Sequence, residues 1–346
     1  MRDISETLKS VYNATSIAIV PGGGTYGMEA VARQFANDRD CVVLRNGWFS
    51  FRWSQIFDAG DIPASCTVLK ARPTDDSATP SFAPAPVEEV VAAIRKARPS
   101  LVCSPHVETS SGIILSEEYM RAVSDAVREV GGLFVLDCIA SGTIWVDMEA
   151  AGVDILISAP QKGWSASPCA ALVMMNDRAR KAIDETTSSS FACDLKKWLS
   201  IMETYEGGGH AYHATMPTDA LVKFCESMKE TQAYGFDKIR DEQQVLGDKM
   251  RAMLERNGFK SVAAGGFKAP SVVVSYTDAA EVQNGSRFAA EGVQIAAGVP
   301  LECDEGDDFR TFRLGLFGLD KLQNIDRTIA NFEDALNKVL ADTNVR

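Results

Sequence analysis

Short apolar runs alternate with helical stretches through the first half of this chain, and that order constrains the fold more than any other feature. The runs read SIAIV, CVVLRN, SLVCSP, LFVLD, VDILISAP and AALVMM, and amphipathic stretches such as VEEVVAAIRKAR separate several of them. Each run is continuously apolar rather than alternating, which is typical of strands covered by helices on both faces. Strands and helices in series favour parallel pairing with right-handed crossovers, so we predict an α/β fold with a mainly parallel sheet.

The pattern changes after about Phe236. A long helical stretch, FDKIRDEQQVLGDKMRAMLERNG, precedes the strand candidates SVVVSY and FRLGLFG, a helix near VQNGSRFAAEG and a final helix from about Asp320 to Leu340. A chain of 346 residues exceeds what one core usually holds. We therefore predict a large α/β domain over 1–235 and a small C-terminal α+β domain over 236–346, with a cleft between them. The Pro-, Ser- and Asp-rich segment 71–86 is expected to be a surface connection.

Charge and composition exclude several classes of partner. The net charge is −12, which argues against nucleic acid or an anionic membrane surface as the main partner. The sequence contains no apolar run near the ~20 residues that span a bilayer. Eight dispersed cysteines without a C-x-x-C pair, together with three histidines, are poor material for a metal site. We expect reduced thiols, no metal and a cytoplasmic location.

Two stretches predict an anion cradle and a buried acid. In VPGGGTYGMEAVA, glycines stand between a strand and a helix, where free N–H groups and the helix dipole attract phosphate. A plain tight turn is the alternative, and the spacing matches G-x-G-x-x-G poorly. In LFVLDCIASG, Asp137 ends a strand that we predict to be central in the sheet, at the edge where ligands bind. A turn or helix-capping aspartate is the alternative.

Two further stretches predict an amine and an anion clamp. Lys162 follows the apolar run DILISAP, and burial would lower its pKa, as Schiff-base chemistry requires. A solvated loop lysine is the alternative. Tyr212 and Thr215, in YHATMP, each have a hydroxyl for an anion, and Arg313 lies inside an apolar run, where it needs a carboxylate partner or an internal salt bridge. Pyridoxal 5′-phosphate is the one cofactor that uses a phosphate cradle, a carboxylate for its ring nitrogen, a lysine and a carboxylate clamp together.

At these motifs the sequence resembles the class V aminotransferases of fold type I, specifically the alanine–glyoxylate and serine–glyoxylate aminotransferase group. The matching stretches, in family order, are GGGTYGMEA, RNGWFSFRWSQI, ETSSGIIL, LDCIASG, DILISAPQKGW, YHATMP and FRLGLFGLDKLQNIDR. The resemblance implies a seven-stranded-type sheet and a PLP-dependent enzyme. It also implies an amino transfer from a small amino acid, such as alanine or serine, to a small 2-oxo acid, such as glyoxylate or pyruvate, by a ping-pong mechanism.

The resemblance also implies roles for the residues around the cofactor. Lys162 would bind the cofactor aldehyde covalently and then move the substrate proton, and Asp137 would pair with the ring nitrogen. The remaining cofactor-binding residues would be Gly24 and Thr25 at the phosphate, Gln161 near it, Ser110 beside the phenolic oxygen or the phosphate, and Phe49, or its neighbour Trp48, on the face of the ring.

The last implied roles concern the substrate and a second subunit. Arg313 would hold the substrate α-carboxylate. Tyr212 and Thr215 would reach the phosphate in the neighbouring subunit, which makes a homodimer the expected partner; where other members have Y-H-H-T, this chain has Ala214. Members of the family usually carry several dozen residues before the helix that starts near Ser5 in this sequence. The resemblance implies that in those members these residues cross to the partner subunit and help close its active site.

Three rival functions remain open from the sequence. One rival is a PLP-dependent lyase of the same fold, of cysteine desulfurase or kynureninase type. A desulfurase would need a mobile nucleophilic cysteine, for which Cys303 is the candidate. A dinucleotide-dependent oxidoreductase would need an acidic residue at the end of the next strand, where Arg45 and Asn46 stand instead. A non-catalytic relative would bind the cofactor or a partner without turnover.

Overall fold

One large sheet of seven strands forms the centre of the molecule. The structure is a computed structural model that describes residues 1–341. In chain order, the strands of the large sheet are β1 Ser16–Pro21, β2 Asp40–Arg45, β3 Ser65–Lys70, β4 Leu101–Pro105, β5 Leu133–Asp137, β6 Ile155–Ser158 and β7 Ala170–Met175. Across the sheet they follow the order β1-β7-β6-β5-β4-β2-β3, so β5 is central, as predicted.

Six of these strands run in the same direction, and β7 runs against them. β7 pairs antiparallel with both β1 and β6, whereas the pairs β6–β5, β5–β4, β4–β2 and β2–β3 are parallel. The mainly parallel sheet is therefore confirmed, with one reversal that the sequence pattern does not predict. The connection over 159–169 contains no helix, so the chain returns beside β6 in the opposite direction.

Helices cover both faces of the sheet. The helices that belong to this part are α1 Arg2–Tyr12, α2 Gly24–Phe35, α3 Trp48–Gly60, α4 Val87–Ala97, α5 Glu117–Glu129, α6 Met148–Ala151, α7 Asp177–Ala182, α8 Leu195–Glu206 and α9 Thr218–Tyr234, with a 3₁₀ turn at Ile183–Glu185. Residues of α1, α4, α5 and α9 share one core with Ile17 and Ile19, and residues of α2, α3 and α8 share another with Ala18 and Val20. Successive strand residues thus enter opposite cores, which explains the continuous apolar runs.

The second part of the chain begins after Gly235 and contains a smaller antiparallel sheet. Gly235 has a φ of 108°, which ends α9 before the next helix begins. The strands of this sheet are β8 Val272–Tyr276, β9 Ala296–Ala297 and β10 Thr311–Gly315, in the order β8-β10-β9. The helices of this part are α10 Phe236–Arg256, α11 Ala280–Gln283, α12 Ser286–Ala290, α13 Leu319–Gln323 and α14 Ile325–Ala341. The domain division at 235/236 stays a prediction, and residues 342–346 of the second domain lie outside the described residues.

Local geometry refines three of the expected elements. The final helix is divided at Asn324, whose φ of −134° and ψ of 53° are not helical, and the helix near VQNGSRFAAEG is divided at Gly285, with φ 80°. The connection 71–86 carries a two-residue ribbon, Arg72–Pro73 with Phe82–Ala83. A second such ribbon joins Val107–Glu108 to Ile113–Ile114. Within residues 1–341, every helix is too short or too polar to cross a bilayer.

Candidate active site

The carboxyl ends of the six parallel strands lie along one edge of the large sheet, and this edge collects most of the predicted site residues. Five strands lead into the relevant segments: β1 into the Gly-rich turn, β2 into α3, β4 into the segment of Ser110, β5 into Asp137 and β6 into the loop of Lys162. The strand β10 brings Arg313 to the same region, because its guanidinium lies 5.3 Å from the centre of the Phe49 ring.

The Gly-rich turn places the start of α2 against the end of β5. A Cβ on Gly24 would lie 2.2 Å from the Cδ1 atom of Ile139, so only glycine allows this close approach. No side chain caps the helix at Gly23, and the first N–H groups of a helix have no partner within it. Thr25 adds a hydroxyl that accepts a hydrogen bond of 3.0 Å from Arg52. This geometry fits an anion held by backbone N–H groups.

Asp137 is buried at the end of the central strand, with 7% of its surface exposed. One carboxylate oxygen accepts a hydrogen bond of 2.9 Å from the Ile139 N–H group. Burial raises the pKa of Asp137 to about 7, although the bond from Ile139 opposes the shift; the charge of Glu108 adds to it. A protonated ring nitrogen beside this carboxylate would offset the cost of burying its charge.

Lys162 lies half-buried in the loop between β6 and β7. Burial lowers its pKa, and the nearby charge of Arg313 lowers it further. Its Nζ atom lies 4.8 Å from the centre of the Phe317 ring. A lowered pKa increases the neutral fraction of the amine, which is the form that attacks an aldehyde or accepts a proton.

The loop that carries Lys162 is attached to the C-terminal part of the chain. Ser165 adopts a left-handed conformation with φ 57°, and its hydroxyl accepts a hydrogen bond of 2.7 Å from the Leu319 N–H group. The Ser165 N–H group donates to the Lys162 carbonyl at 3.2 Å. Next to the lysine, the side-chain oxygen of Gln161 is buried, and no residue in 1–341 gives it a hydrogen bond. This amide is therefore available to a ligand.

The Phe49 ring contacts two guanidinium groups. Arg52 is 5.2 Å and Arg313 is 5.3 Å from the ring centre, whereas the neighbouring Trp48 packs against Phe51, with 5.8 Å between ring centres. These contacts favour Phe49 over Trp48 as the aromatic residue of the site.

Arg313 lacks the internal salt bridge that the sequence left open as an alternative. Its Nε–H group donates to the Ala297 carbonyl at 2.8 Å, and no carboxylate in the described part of the chain forms an ion pair with it. Burial lowers the pKa of Arg313, and the charge of Glu108 partly restores it. Its remaining N–H groups suit a substrate carboxylate.

Ser110 lies between Glu108 and the start of α3. It is fully buried, its hydroxyl donates to Glu108 at 2.8 Å and the hydroxyl oxygen accepts from the Trp48 N–H group at 2.8 Å. Because the single hydroxyl proton is already donated, Ser110 has only acceptor capacity left for a ligand.

Tyr212 and Thr215 do not join this site within the chain. Tyr212 is 79% exposed and Thr215 is exposed too. Their loop is held by His213, whose ring nitrogen lies 2.9 Å from the Phe191 carbonyl. Phe191 is itself 78% exposed.

Sequence reasoning missed Glu108 and Arg52. Glu108 stands in VETSSG, three residues after β4 ends at Pro105, and Arg52 stands one helical turn after Trp48. A charged residue among small residues after a strand is the only signal that the sequence offers for Glu108.

Comparison with known proteins assigns the chain to a family of aminotransferases. Residues 1–299 match the family described as aminotransferase class-V. The chain is 26% identical over 246 residues to alanine–glyoxylate aminotransferase 1 of Saccharomyces cerevisiae, a match that covers 66% of this chain and 60% of the yeast protein. It is also 26% identical over 332 residues to a Synechococcus protein named soluble hydrogenase, small subunit, with 94% and 80% covered; that name describes the Synechococcus protein alone.

The fold has clear counterparts among solved structures. The crystal structure of an alanine–glyoxylate aminotransferase from Nostoc sp. superimposes with a TM-score of 0.79 at 21% identity, over 97% of this chain and 86% of the Nostoc chain. The predicted fold type I architecture is therefore confirmed.

Proposed function

Since the chain belongs to the class-V aminotransferases, which depend on pyridoxal 5′-phosphate, we propose that it moves an amino group from a small amino acid, such as alanine or serine, to a small 2-oxo acid, such as glyoxylate or pyruvate, in a ping-pong reaction. The observation that carries the proposal is the arrangement of three groups at one sheet edge: the buried acid Asp137, the amine Lys162 with its lowered pKa, and the unpaired cation Arg313.

The residues at this edge fit the cofactor. The start of α2 with Gly24 and Thr25 suits its phosphate, Asp137 its ring nitrogen and Lys162 its aldehyde, while the buried oxygen of Gln161 has no other partner in residues 1–341. When bound, this cofactor supplies an aldehyde that takes up amino groups and a protonated ring that accepts electrons. Phe49 would cover a face of that ring.

Each protein group has a distinct task in the proposed reaction. Arg313 binds the α-carboxylate of the amino acid and so orients its Cα atom. Lys162, whose neutral fraction increases because burial lowers its pKa, removes the proton from that Cα atom. Asp137 would pair with the ring nitrogen of the cofactor and keep it protonated. The 2-oxo acid then binds through its carboxylate to the same Arg313. One binding group that serves both substrates in turn suits a cycle with two half-reactions.

We also propose that the protein forms a homodimer and is located in the cytoplasm. The exposed side chains of Tyr212 and Phe191 support a partner subunit, because large exposed aromatic residues are typical of interfaces. All eight cysteines lie within residues 1–341 and are free thiols, which supports a reducing compartment.

A half-reaction screen tests the proposed activity. Purified protein loaded with the cofactor is mixed with single amino acids, and conversion of the bound cofactor to its aminated form is followed by absorbance. We expect alanine or serine to cause the conversion, and glyoxylate or pyruvate to reverse it. A protein that no amino acid converts would contradict the proposal.

The lyase alternative loses its candidate nucleophile. Cys303 is 3% exposed, and its Sγ atom donates to the Arg45 carbonyl at 3.3 Å. Burial raises the pKa of Cys303 to about 12, so the thiol is not ionised near neutral pH. Sulfide release from cysteine, measured beside amino transfer to glyoxylate, separates the two reactions.

A further inference from the structure

Glu108 is a fully buried carboxylate that accepts five hydrogen bonds from two segments. From α3 it receives the N–H groups of Phe49 at 3.1 Å and Ser50 at 2.9 Å, and the Ser50 hydroxyl at 2.7 Å. From its own segment it receives the N–H group and the hydroxyl of Ser110, at 3.0 and 2.8 Å. Five donors around one side chain match a carboxylate, which only accepts.

These bonds fix the start of α3. A carboxylate at a helix N-terminus binds the free N–H groups and complements the helix dipole. The approach is so close that a Cβ on Gly47 would lie 2.0 Å from the Ser110 hydroxyl and 2.8 Å from the Cγ atom of Glu108. The backbone of Phe49 therefore has little freedom to move relative to the β4 edge.

The orientation of Phe49 matters because its ring contacts both Arg52 and Arg313. The ring centre is 5.2 Å and 5.3 Å from the two guanidinium groups. Arg52 also donates to Thr25 at the start of α2. A displaced ring would thus disturb the phosphate end of the site and the substrate cation together.

The charge of Glu108 acts on the same groups. It raises the pKa of Arg313 against the effect of burial, although the two residues form no ion pair. It also adds to the raised pKa of Asp137. The carboxylate therefore influences the electrostatics of the site as well as its geometry.

From these contacts we propose that Glu108 is a positioning residue: it holds the Phe49 ring in contact with both Arg52 and Arg313, and thereby sets the affinity for the cofactor and for the substrate carboxylate. The inference rests on the proposed function. A purely structural cap would affect the stability of the protein and leave both affinities unchanged.

The test compares Glu108→Gln with Asp154→Asn, a matched control. Asp154 is equally buried and hydrogen-bonded, accepting from the Phe134 N–H group at 2.9 Å and pairing with Arg178 at 2.8 Å. It precedes β6 and so lies at the opposite edge of the sheet. Three readouts are measured: the Kd of pyridoxal 5′-phosphate for the apoprotein, the visible circular dichroism of the bound cofactor, and KM and kcat for the amino donor.

For Glu108→Gln we expect about a tenfold rise in the cofactor Kd and in the donor KM, a smaller change in kcat, and altered circular dichroism. The amide NH₂ group of the new side chain would face N–H and O–H donors that now bind the carboxylate, and the substitution removes the negative charge of Glu108. Asp154→Asn is expected to lower the melting temperature and leave both affinities within about twofold. If Glu108→Gln does not fold, Glu108→Asp keeps the charge but is shorter, and a rise of about threefold in Kd is expected.

The possible failures are distinguishable. A wild-type protein that does not bind the cofactor or transaminate would remove the proposed function and this inference together. The other failure would concern the positioning role alone. It would be shown by a wild-type protein that binds the cofactor and transaminates, together with Glu108 variants that match Asp154→Asn in Kd, KM and circular dichroism.

Discussion

At the scale of single residues, burial determines the chemistry of the site. Asp137, Lys162 and Arg313 each have a pKa shifted toward the neutral form, and burial is the main cause in all three. The sequence identified these residues because a charge beside an apolar run is costly. It did not identify Glu108, since the cost of burying that carboxylate is offset by five donors that come together only in the folded chain.

Asp137 gives a prediction about stability and pH. A folded-state pKa of about 7 exceeds the ordinary value, so the folded apoprotein binds a proton that the unfolded chain has lost. Stability should therefore fall as pH rises between about 4 and about 7, by up to about 1.4 kcal/mol per pH unit from this group. Asp137→Asn should remove this loss. Urea unfolding of both apoproteins at about pH 5 and about pH 8 measures it; equal pH dependence in the two proteins would contradict the prediction.

Arg313 gives a prediction about substrate binding. Lysine keeps the charge but lacks the planar pair of donors, so Arg313→Lys should lower kcat/KM for the amino donor by roughly 10- to 100-fold. Cofactor affinity should change little. The nearby Arg310, whose guanidinium donates to the Asp278 carbonyl and is exposed, provides the control substitution Arg310→Lys. Steady-state kinetics that show the same loss for both variants would refute the role of Arg313.

At the scale of elements, the sequence predicted where strands and helices lie better than how they run. The continuous apolar strands of the interior were recognisable. The edge strand β3 was not, because SCTVLK mixes polar and apolar residues and is largely exposed. The reversed β7 depends on the length and packing of the loop before it, and the break at Asn324 depends on a single backbone conformation. Neither the direction of β7 nor the break at Asn324 produces a periodic pattern of apolar residues that the sequence would show.

The turn before α2 gives a prediction about packing. Gly24→Ala should destabilise the apoprotein by about 1–3 kcal/mol, because the added methyl group would overlap Ile139. Gly23→Ala is the matched control: a Cβ there meets nothing within 4 Å. Urea unfolding of the two apoproteins compares them, and equal stability would show that the turn can relax around Gly24.

At the scale of the whole molecule, the site spans both parts of the chain and, in our proposal, two subunits. A further apolar core joins residues before Gly235, such as Ala140 and Ile113, to later residues such as Val272 and Leu301. This packing holds β8, the strand that pairs with β10, against the first part of the chain. In the proposed dimer, the exposed loop with Tyr212 and Thr215 would contact the partner subunit.

A shared site predicts complementation between inactive chains. Lys162→Ala and a chain with both Tyr212→Phe and Thr215→Ala should each be strongly impaired, but hybrid dimers contain one intact site. Random mixing then restores about a quarter of wild-type activity, since half of the dimers are hybrids with half of their sites intact. Co-expression with two affinity tags, followed by assay and sedimentation, measures this. Activity no higher than that of the separate variants would indicate that each chain has its own complete site.

The hydrogen bond from Leu319 to Ser165 has a mechanical consequence. Arg313, Phe317 and Leu319 lie on one short stretch of chain, and this stretch touches Phe49, Lys162 and Ser165 in turn. The cation that would bind the acid group and the loop that carries the amine are therefore attached to the same few residues. A substitution that displaces this stretch would shift Arg313 and the lysine loop together.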